Sequence, residues 1–341
     1  MVKTLDDIAR LAGVSRATVS RAMNNAPDVS EVTRQKILHL IQEQDFRPNT
    51  VARALATQRT RVISLVIPKS TASNFTDPFF PVISTVILTA RQNEYAFMMW
   101  MNDGSEAEEQ FCERILNNSL SDGILLYSSL GNDPLFDRLV KTDFPFVVIG
   151  APPYGSKNVS FVNFNDIAGA REAIAYLIRL EHQRIGIITG PLNTLPARDR
   201  LMGYQSMMRE AGYSLDEHLI VEGDYTLTAG YRSMNILLEE KVDAVFATSD
   251  IMALGAIRAI QEHGLSVPED ISVIGYDDLF VASLASPALT TISQPTRQMA
   301  AQATQLLVDQ LEGKWNGPRQ VTLPVTLTIR DTCRILKNPI L

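Results

Sequence analysis

The 341-residue sequence holds only two cysteines, Cys112 and Cys333, far apart in the chain. Two isolated thiols make neither a disulfide framework nor a metal site, which suits a reducing compartment. Long apolar runs are missing as well: "VISLVIP" and "FVVIG" fall far short of a bilayer span. No basic start leads into an apolar stretch and a cleavage site, so the expected location is the cytoplasm. Signatures of catalysis are also absent. There is no glycine-rich phosphate loop, no G-x-S-x-G elbow and no H-E-x-x-H motif, and neither a metal nor a cofactor is expected. The four histidines, His39, His182, His218 and His263, stand in unrelated contexts and read as solvated side chains.

Excess positive charge is lacking overall, with a net charge of −7, but the balance is uneven. Residues 1–61 carry ten Lys/Arg and six Asp/Glu, giving +4, and the remaining 21 bases and 32 acids give −11. A basic head on an acidic body is the balance expected when only the head touches phosphates. Apolar residues at 45% and charged residues at 20% describe a globular chain, and its length asks for two or three domains.

The head carries helix signals at close spacing. Thr4 precedes Leu5, Ile8, Ala9 and Ala12, an apolar stripe at helical period, and Asp7 completes a capping-box pair with Thr4. Gly13 ends that helix. Ser15 caps a second one running to about Met23, with Val19 and Ala22 inward, and Asn24, Asn25 and Pro27 break it. Ser30 caps a third, whose stripe is Val32, Ile37, Leu40 and Ile41. Two short helices across a glycine turn, buttressed by a third, predict a helix-turn-helix module. Its second helix would enter a major groove N-terminus first, with Arg16, Ala17, Ser20 and Arg21 outward. Arginine suits guanine, a small alanine suits a thymine methyl, and Ser15 and Thr18 suit phosphates. Beyond Pro48, Asn49 can cap a two-turn segment, Thr50–Ala56, containing Val51, Ala52, Ala54 and Leu55. It reads either as a linker or as a helix that forms on DNA and wedges Leu55 into the minor groove.

The head's "ATVSR", the connector's "RPNTVARAL" and the body's "GPLNTLPARDRLMGY", "SDIMALGAIRAI" and "ISVIGYDD" together resemble the LacI/GalR family of bacterial transcription regulators. The resemblance spans essentially the whole chain. It implies a dimeric, effector-responsive protein that binds operator DNA, with a body like the periplasmic sugar-binding proteins. It implies that Arg16 and Ala17 read bases, that Arg21 assists and that Leu55 is the wedge. Thr4, Ser15, Thr18, Ser20, Asn24, Asn49 and Ala52 complete the DNA-facing set.

From Val62 onward, apolar strands alternate with helical stretches, among them Ile167–Leu180, Leu201–Ala211 and Ala229–Glu240, which predicts parallel α/β layers. The strands are "VISLVIP", "AFMMWM", "GILLYS", "FVVIG", "RIGIITG", "DAVFATS" and "ISVIGY". The expected fold class is therefore α/β: an all-α head at 1–48, a connector at 49–61 and a doubly wound body at 62–341. The resemblance divides that body into two lobes, 62–161 with 292–322 and 162–291 with 323–341. Ligands in such sheets sit beyond the carboxyl ends of the strands, which singles out Ser70, Ser128, Ser249, Asp250 and Asp277.

Phe79, Phe80 and Tyr225 could offer faces to a sugar ring, with Arg200 and Asp277 gripping its hydroxyls. Core packing is the alternative for the two phenylalanines, a helix cap for Asp277 and an ordinary surface position for Arg200. The resemblance places Phe79, Phe80, Arg200, Tyr225 and Asp277 at effector contacts, and Ser249 and Asp250 match the family's pair before "MALGA". Two positions depart from it: Phe164 where the family has an aspartate before Asn165, and Glu181 where it has a glycine before His182. "NFTDPFFPVI", "DGILLYSS" and "DFPFVVIGAPP" are most similar to the maltose-regulator branch, so maltose or another oligoglucoside is the expected effector. Asp250 and Asp277 could also imitate a glycosidase acid pair. The arginine beside them and the basic head favour binding without chemistry, and the basic head disfavours a transport receptor. Without leucine heptads near the C-terminus, a dimer is expected rather than a tetramer.

Overall fold

The computed structural model describes residues 4–23, 26–46, 59–67, 79–102, 107–117, 120–127, 130–153 and 155–335. The chain divides into two compact units, Met1–Arg61 and Val62–Leu341. Asn24, the connector positions Asn49, Ala52 and Leu55, and Ser70 and Ser128 lie outside the described residues.

In the head, α1 (Leu5–Ala12), α2 (Arg16–Met23) and α3 (Glu31–Glu43) follow the cap signals. Thr4 Oγ1 accepts the Asp7 amide at 3.2 Å, and Asp7 Oδ2 accepts the Thr4 amide at 3.2 Å, so two orphan donors are satisfied reciprocally. Gly13 turns the chain at φ +72°, in the left-handed region where a side chain is penalised. Ser15 and Ser30 cap α2 and α3 through the amides of Thr18 and Thr33. The core consists of Ile8, Ala9, Ala12, Val19, Ala22, Val29, Ile37 and Phe46. Val32, expected in the α3 stripe, is 83% exposed. Val29 and Phe46, just outside the two ends of α3, fill the core instead, because a small three-helix unit can close only by folding its turns inward.

The body contains two six-stranded sheets. The first is built from β1 (Val62–Ile67), β2 (Ala96–Met101), β3 (Gly123–Tyr127), β4 (Phe146–Ile149), β5 (Phe161–Phe164) and β11 (Gln320–Leu323), in the order β11-β5-β4-β3-β1-β2. The second is built from β6 (Ile185–Thr189), β7 (Ile220–Glu222), β8 (Ala244–Ala247), β9 (Ser272–Asp277), β10 (Thr290–Ser293) and β12 (Thr326–Thr328), in the order β12-β10-β9-β8-β6-β7. Among the described residues only β12 runs antiparallel to its neighbour. In both sheets the first strand lies between the second and the third, so one topology occurs twice without a visible sequence repeat. Central strands buried on both faces read as continuous apolar runs, as β1 and β6 do.

Helices cover the sheets: α4 (Phe79–Gln92), α5 (Glu108–Leu116), α6 (Pro134–Leu139) and α12 (Thr296–Leu311) belong with the first. The second carries α7 (Asp166–Arg179), α8 (Leu195–Glu210), α9 (Leu227–Glu239), α10 (Asp250–Glu262) and the short α11 (Phe280–Leu284). Among the described residues no helix is long and apolar enough to cross a membrane.

The chain passes from one sheet to the other after Phe164, after Ser293 and after Leu323. The boundaries expected from sequence, 161/162 and 291/292, fall inside β5 and β10, whose backbone pairing carries each strand on to its end. Helix α8 begins at Leu195, six residues ahead of the expected Leu201, because Pro196 is compatible with a first helical turn. His182 is buried rather than solvated, with Nδ1 3.3 Å from Asp243 Oδ1 and Nε2 3.1 Å from the Arg334 carbonyl. Phe164 packs in the core that runs continuously through both sheets.

Candidate functional site

The body's site forms where its two topologies meet. In an open parallel sheet, ligands bind beyond the carboxyl ends of strands, at the point where neighbouring connections diverge to opposite faces. That point lies between β1 and β3 in the first sheet and between β6 and β8 in the second. It brings together Tyr127, ending β3, and Gly190 and Thr248, following β6 and β8. Leu130 bridges Thr194 across the two halves, and the Gly131 amide donates to the Asn193 carbonyl at 3.3 Å.

Arg200 is the centre of this region. It sits within α8, 5% exposed, and its guanidinium lies over the Tyr276 ring at 3.7 Å from the centroid. Nε donates to Asp166 Oδ1 at 2.8 Å, and Nη1 donates to the Thr248 carbonyl at 2.6 Å and stands 3.6 Å from Asp277 Oδ1. Burial opposes the charge, but Asp166 and Asp277 outweigh it, so Arg200 holds its proton more tightly than usual. Asp166 opens α7 behind the cap Asn165, where the helix N-terminus favours a carboxylate.

Asp277 ends β9 at φ +111°, a strained backbone position for a residue with a side chain. Burial raises its carboxyl to about 7, Arg200 pulls the other way and Asp166 adds to the rise. Tyr225, also at positive φ (+66°), lies so close to Gly190 that an added Cβ there would come within 2.0 Å of its ring. Tyr127 packs against Phe79 with ring centroids 4.8 Å apart and planes tilted by 54°, and burial followed by the field of Asp277 pushes its phenol pKa up. The result is two aromatic faces and a fixed guanidinium–carboxylate pair, which is a surface for a hydroxylated ring.

The structure thus gathers Arg200, Asp277 and Tyr225, with Phe79 buried behind Tyr127. Phe80 is 75% exposed and stands apart from this cluster. Ser249 and Asp250 are buried and committed internally. Ser249 Oγ caps α10 through the Met252 amide at 3.2 Å. Asp250 accepts the Thr291 hydroxyl at 2.5 Å and the Leu279 amide at 2.7 Å, and burial, then Asp277, raises its carboxyl well above the usual range. Asp250 therefore holds the turn after β9 in place. Asp166, Tyr127, Tyr276 and the Thr248 carbonyl were missed from sequence. Asp166, directly after the retained Asn165, and Tyr276, directly before Asp277, carried a positional signal. Thr248 acts through its backbone and carried none.

In the head, Arg16, Ala17 and Arg21 are exposed on one face of α2, and Ser20 is half-buried beside them. Arg16 lies 3.7 Å from Asp6, and Arg21 Nη1 donates to Asp28 Oδ2 at 2.8 Å. Thr4, Ser15 and Thr18 sit at helix N-termini, and the Ser15 and Thr18 hydroxyls are 2.8 Å apart.

Comparison with known proteins gives a consistent picture. A profile of bacterial regulatory proteins of the lacI family matches residues 4–49, and a periplasmic binding protein-like domain matches residues 174–333. The chain is 37% identical over 334 residues to the HTH-type transcriptional regulator CelR of Thermobifida fusca, covering 96% of this chain and 98% of that one. Among solved structures, a transcriptional regulator CelR–cellobiose complex superposes with a TM-score of 0.76 at 35% identity, covering 97% and 100% of the two chains. A lac repressor dimer bound to operator and the anti-inducer ONPF gives a TM-score of 0.82 at 29% identity, covering 98% and 100%.

Proposed function

The chain belongs to the LacI family of bacterial regulatory proteins, DNA-binding transcriptional regulators, and on that premise we propose that it represses a carbohydrate-utilisation operon as a homodimer until an uncharged oligoglucoside occupies the body cleft. The observation that carries this reading is the Arg200–Asp166–Asp277 cluster, with Tyr127 and Tyr225 close enough to feel its charges. Two carboxylates face one guanidinium, so the cleft offers no surplus positive charge to a phosphorylated ligand. A neutral ring with hydroxyls can accept from Arg200, donate to Asp277 and lie against the aromatic faces. Cellobiose is the first candidate, because the CelR structure holds it; maltose, favoured by the sequence segments around Phe79 and Tyr127, is the second.

In this reading, ligand links Tyr127 of the first sheet to Arg200 and Asp277 of the second and so alters the angle between the lobes. That change reaches DNA through the connector, where Leu55 acts as the minor-groove wedge. A differential of about 2.7 kcal/mol between the two lobe arrangements suffices for a roughly hundredfold response. Arg16, Ala17 and Arg21 read bases, while Ser15, Thr18 and the helix N-termini hold phosphates. Dimerisation is supported by apolar side chains left exposed: Ile87 and Leu88 on α4, Met99 and Met101 on the edge strand β2, and Phe280 and Leu284 on α11.

Titration calorimetry of the full-length protein with cellobiose, maltose and glucose 6-phosphate tests the reading. One of the disaccharides is expected to bind and to release a duplex selected by the protein from a randomised pool. Asp277→Ala is expected to lose the sugar response and keep DNA binding. Tight binding of glucose 6-phosphate, with neither disaccharide bound, would overturn the effector assignment.

A further inference from the structure

The head contains an ion pair whose surroundings suggest more than surface decoration. Asp28 lies in the turn between α2 and α3 and accepts Arg21 Nη1 at 2.8 Å, with the two side chains 53% and 51% exposed. An exposed pair of this kind adds little to stability. The turn that presents Asp28 is nevertheless fixed from behind. The Ala26 amide donates to the Arg21 carbonyl at 3.0 Å, and the Val29 amide to the Ala26 carbonyl at 3.3 Å. Val29 itself is part of the head core. Arg34, on α3 and only 16% exposed, turns its guanidinium inward: Nη2 donates to the carbonyls of Ala26 and Val29 at 2.7 and 3.3 Å, and Nη1 to Glu31 at 3.1 Å. A connected series of contacts therefore runs from the core helix α3, through Arg34 and the turn, to Asp28 and on to Arg21.

Resting on the assignment of α2 as the DNA-reading helix, we propose that Asp28 is a positioning residue that sets the plane of the Arg21 guanidinium, and so lets the head distinguish a base edge from a phosphate. With Nη1 held by Asp28, Nε and Nη2 remain as donors. A fork of fixed plane matches guanine O6 and N7, which demand coplanar donors. Phosphate oxygens accept from many directions and gain little from the constraint. Holding a long side chain before contact also removes ordering entropy from the binding step. The Asp28 charge acts in the same sense, because it repels phosphates wherever no base contact compensates. Arg16, 3.7 Å from Asp6, has no equally close partner among the described residues and is less constrained.

The test uses full-length wild type, Asp28→Asn and Arg34→Gln, each given the same randomised duplex pool and then its affinity for the wild-type-selected duplex and for a scrambled one at a single salt concentration. For Asp28→Asn, scrambled binding is expected to hold or tighten. The selected-to-scrambled ratio is expected to fall about tenfold, equivalent to ~1.4 kcal/mol. Its selected pool should lose preference at one base pair per half-site, and Arg34→Gln should lose the same one. The melting temperature should be unchanged in Asp28→Asn. A variant whose two affinities rise equally, with base preference intact, would reduce Asp28 to a repulsive charge and overturn the proposal. A wild type that selects no sequence at all would overturn it together with the DNA-reading assignment beneath it.

Discussion

Two guanidinium–carboxylate pairs in this protein have the same length and opposite surroundings. Arg21–Asp28 in the head and Arg200–Asp166 in the body both measure 2.8 Å, but the side chains of the first are about half exposed and those of the second are 6% and 2% exposed. In the head, water screens the pair, so losing Asp28 costs little stability. In the body, both charges have left water, and removing either partner strands the other. The first pair can orient a surface side chain without holding the fold together. The second suits a site that must keep its shape whether or not a ligand is present.

The sharpest way to break this comparison is to remove one acid from each pair. Asp166→Ala should destabilise the body by about 3–5 kcal/mol, whereas Asp28→Ala should cost the head less than about 1 kcal/mol. Trp100 and Trp315, the only two tryptophans, both lie in the body. Urea denaturation followed by tryptophan fluorescence therefore isolates the body, and far-UV circular dichroism adds the head. Equal losses in the two variants would erase the distinction drawn here.

A second substitution probes the body pocket without touching a charge. Gly190→Ala places a methyl against the Tyr225 ring, where an added Cβ would sit 2.0 Å from the nearest ring carbon. Tyr225 must then move, at a cost of about 1–3 kcal/mol in stability. Sugar affinity measured by calorimetry should fall about tenfold, or ~1.4 kcal/mol. Unaltered affinity would remove Tyr225 from the pocket.

Acidity sharpens the contrast further. Asp277 keeps its proton up to about 7 in the folded body, against about 4 in an unfolded chain. Between those values the folded state binds more protons, so this residue's contribution is fully present below about pH 4 and is lost as pH rises through about 7. Melting temperatures of wild type and Asp277→Asn should diverge in favour of the variant between about pH 4 and pH 7. A constant gap would mean that Asp277 does not titrate in that window. The smallest effect is expected at Glu181, exposed and at φ +70°. Glu181→Gly should stabilise the body by about 1 kcal/mol, visible as a higher urea midpoint.

Several features were legible because they depend on local chemistry. Thr4, Gly13, Ser15 and Ser30 mark the ends of the head helices through bonds to their immediate neighbours, so a short window of sequence contains the whole interaction. Central strands such as "VISLVI" are apolar on both faces and stand out for the same reason. The strands that escaped notice, β5, β7, β10, β11 and β12, are short, and several carry polar residues. In β10, Thr290 and Thr291 are fully buried because their hydroxyls pair with the Arg330 amide and with Asp250. Those partners lie about forty residues away, and no local pattern announces them.

The chain's order of residues was sufficient for three capped helices, a run of buried strands and a basic head on an acidic body, since each follows from neighbours within a few positions. The assembly of a site was decided only by the tertiary structure. Asp166, Arg200, Thr248 and Asp277 come from α7, α8, the turn after β8 and the end of β9, and meet because the second sheet's topology brings the carboxyl ends of β8 and β9 to these two helices. How much an arginine's ion pair contributes to stability depends on how much water surrounds it, and that is a property of the folded surface rather than of any segment.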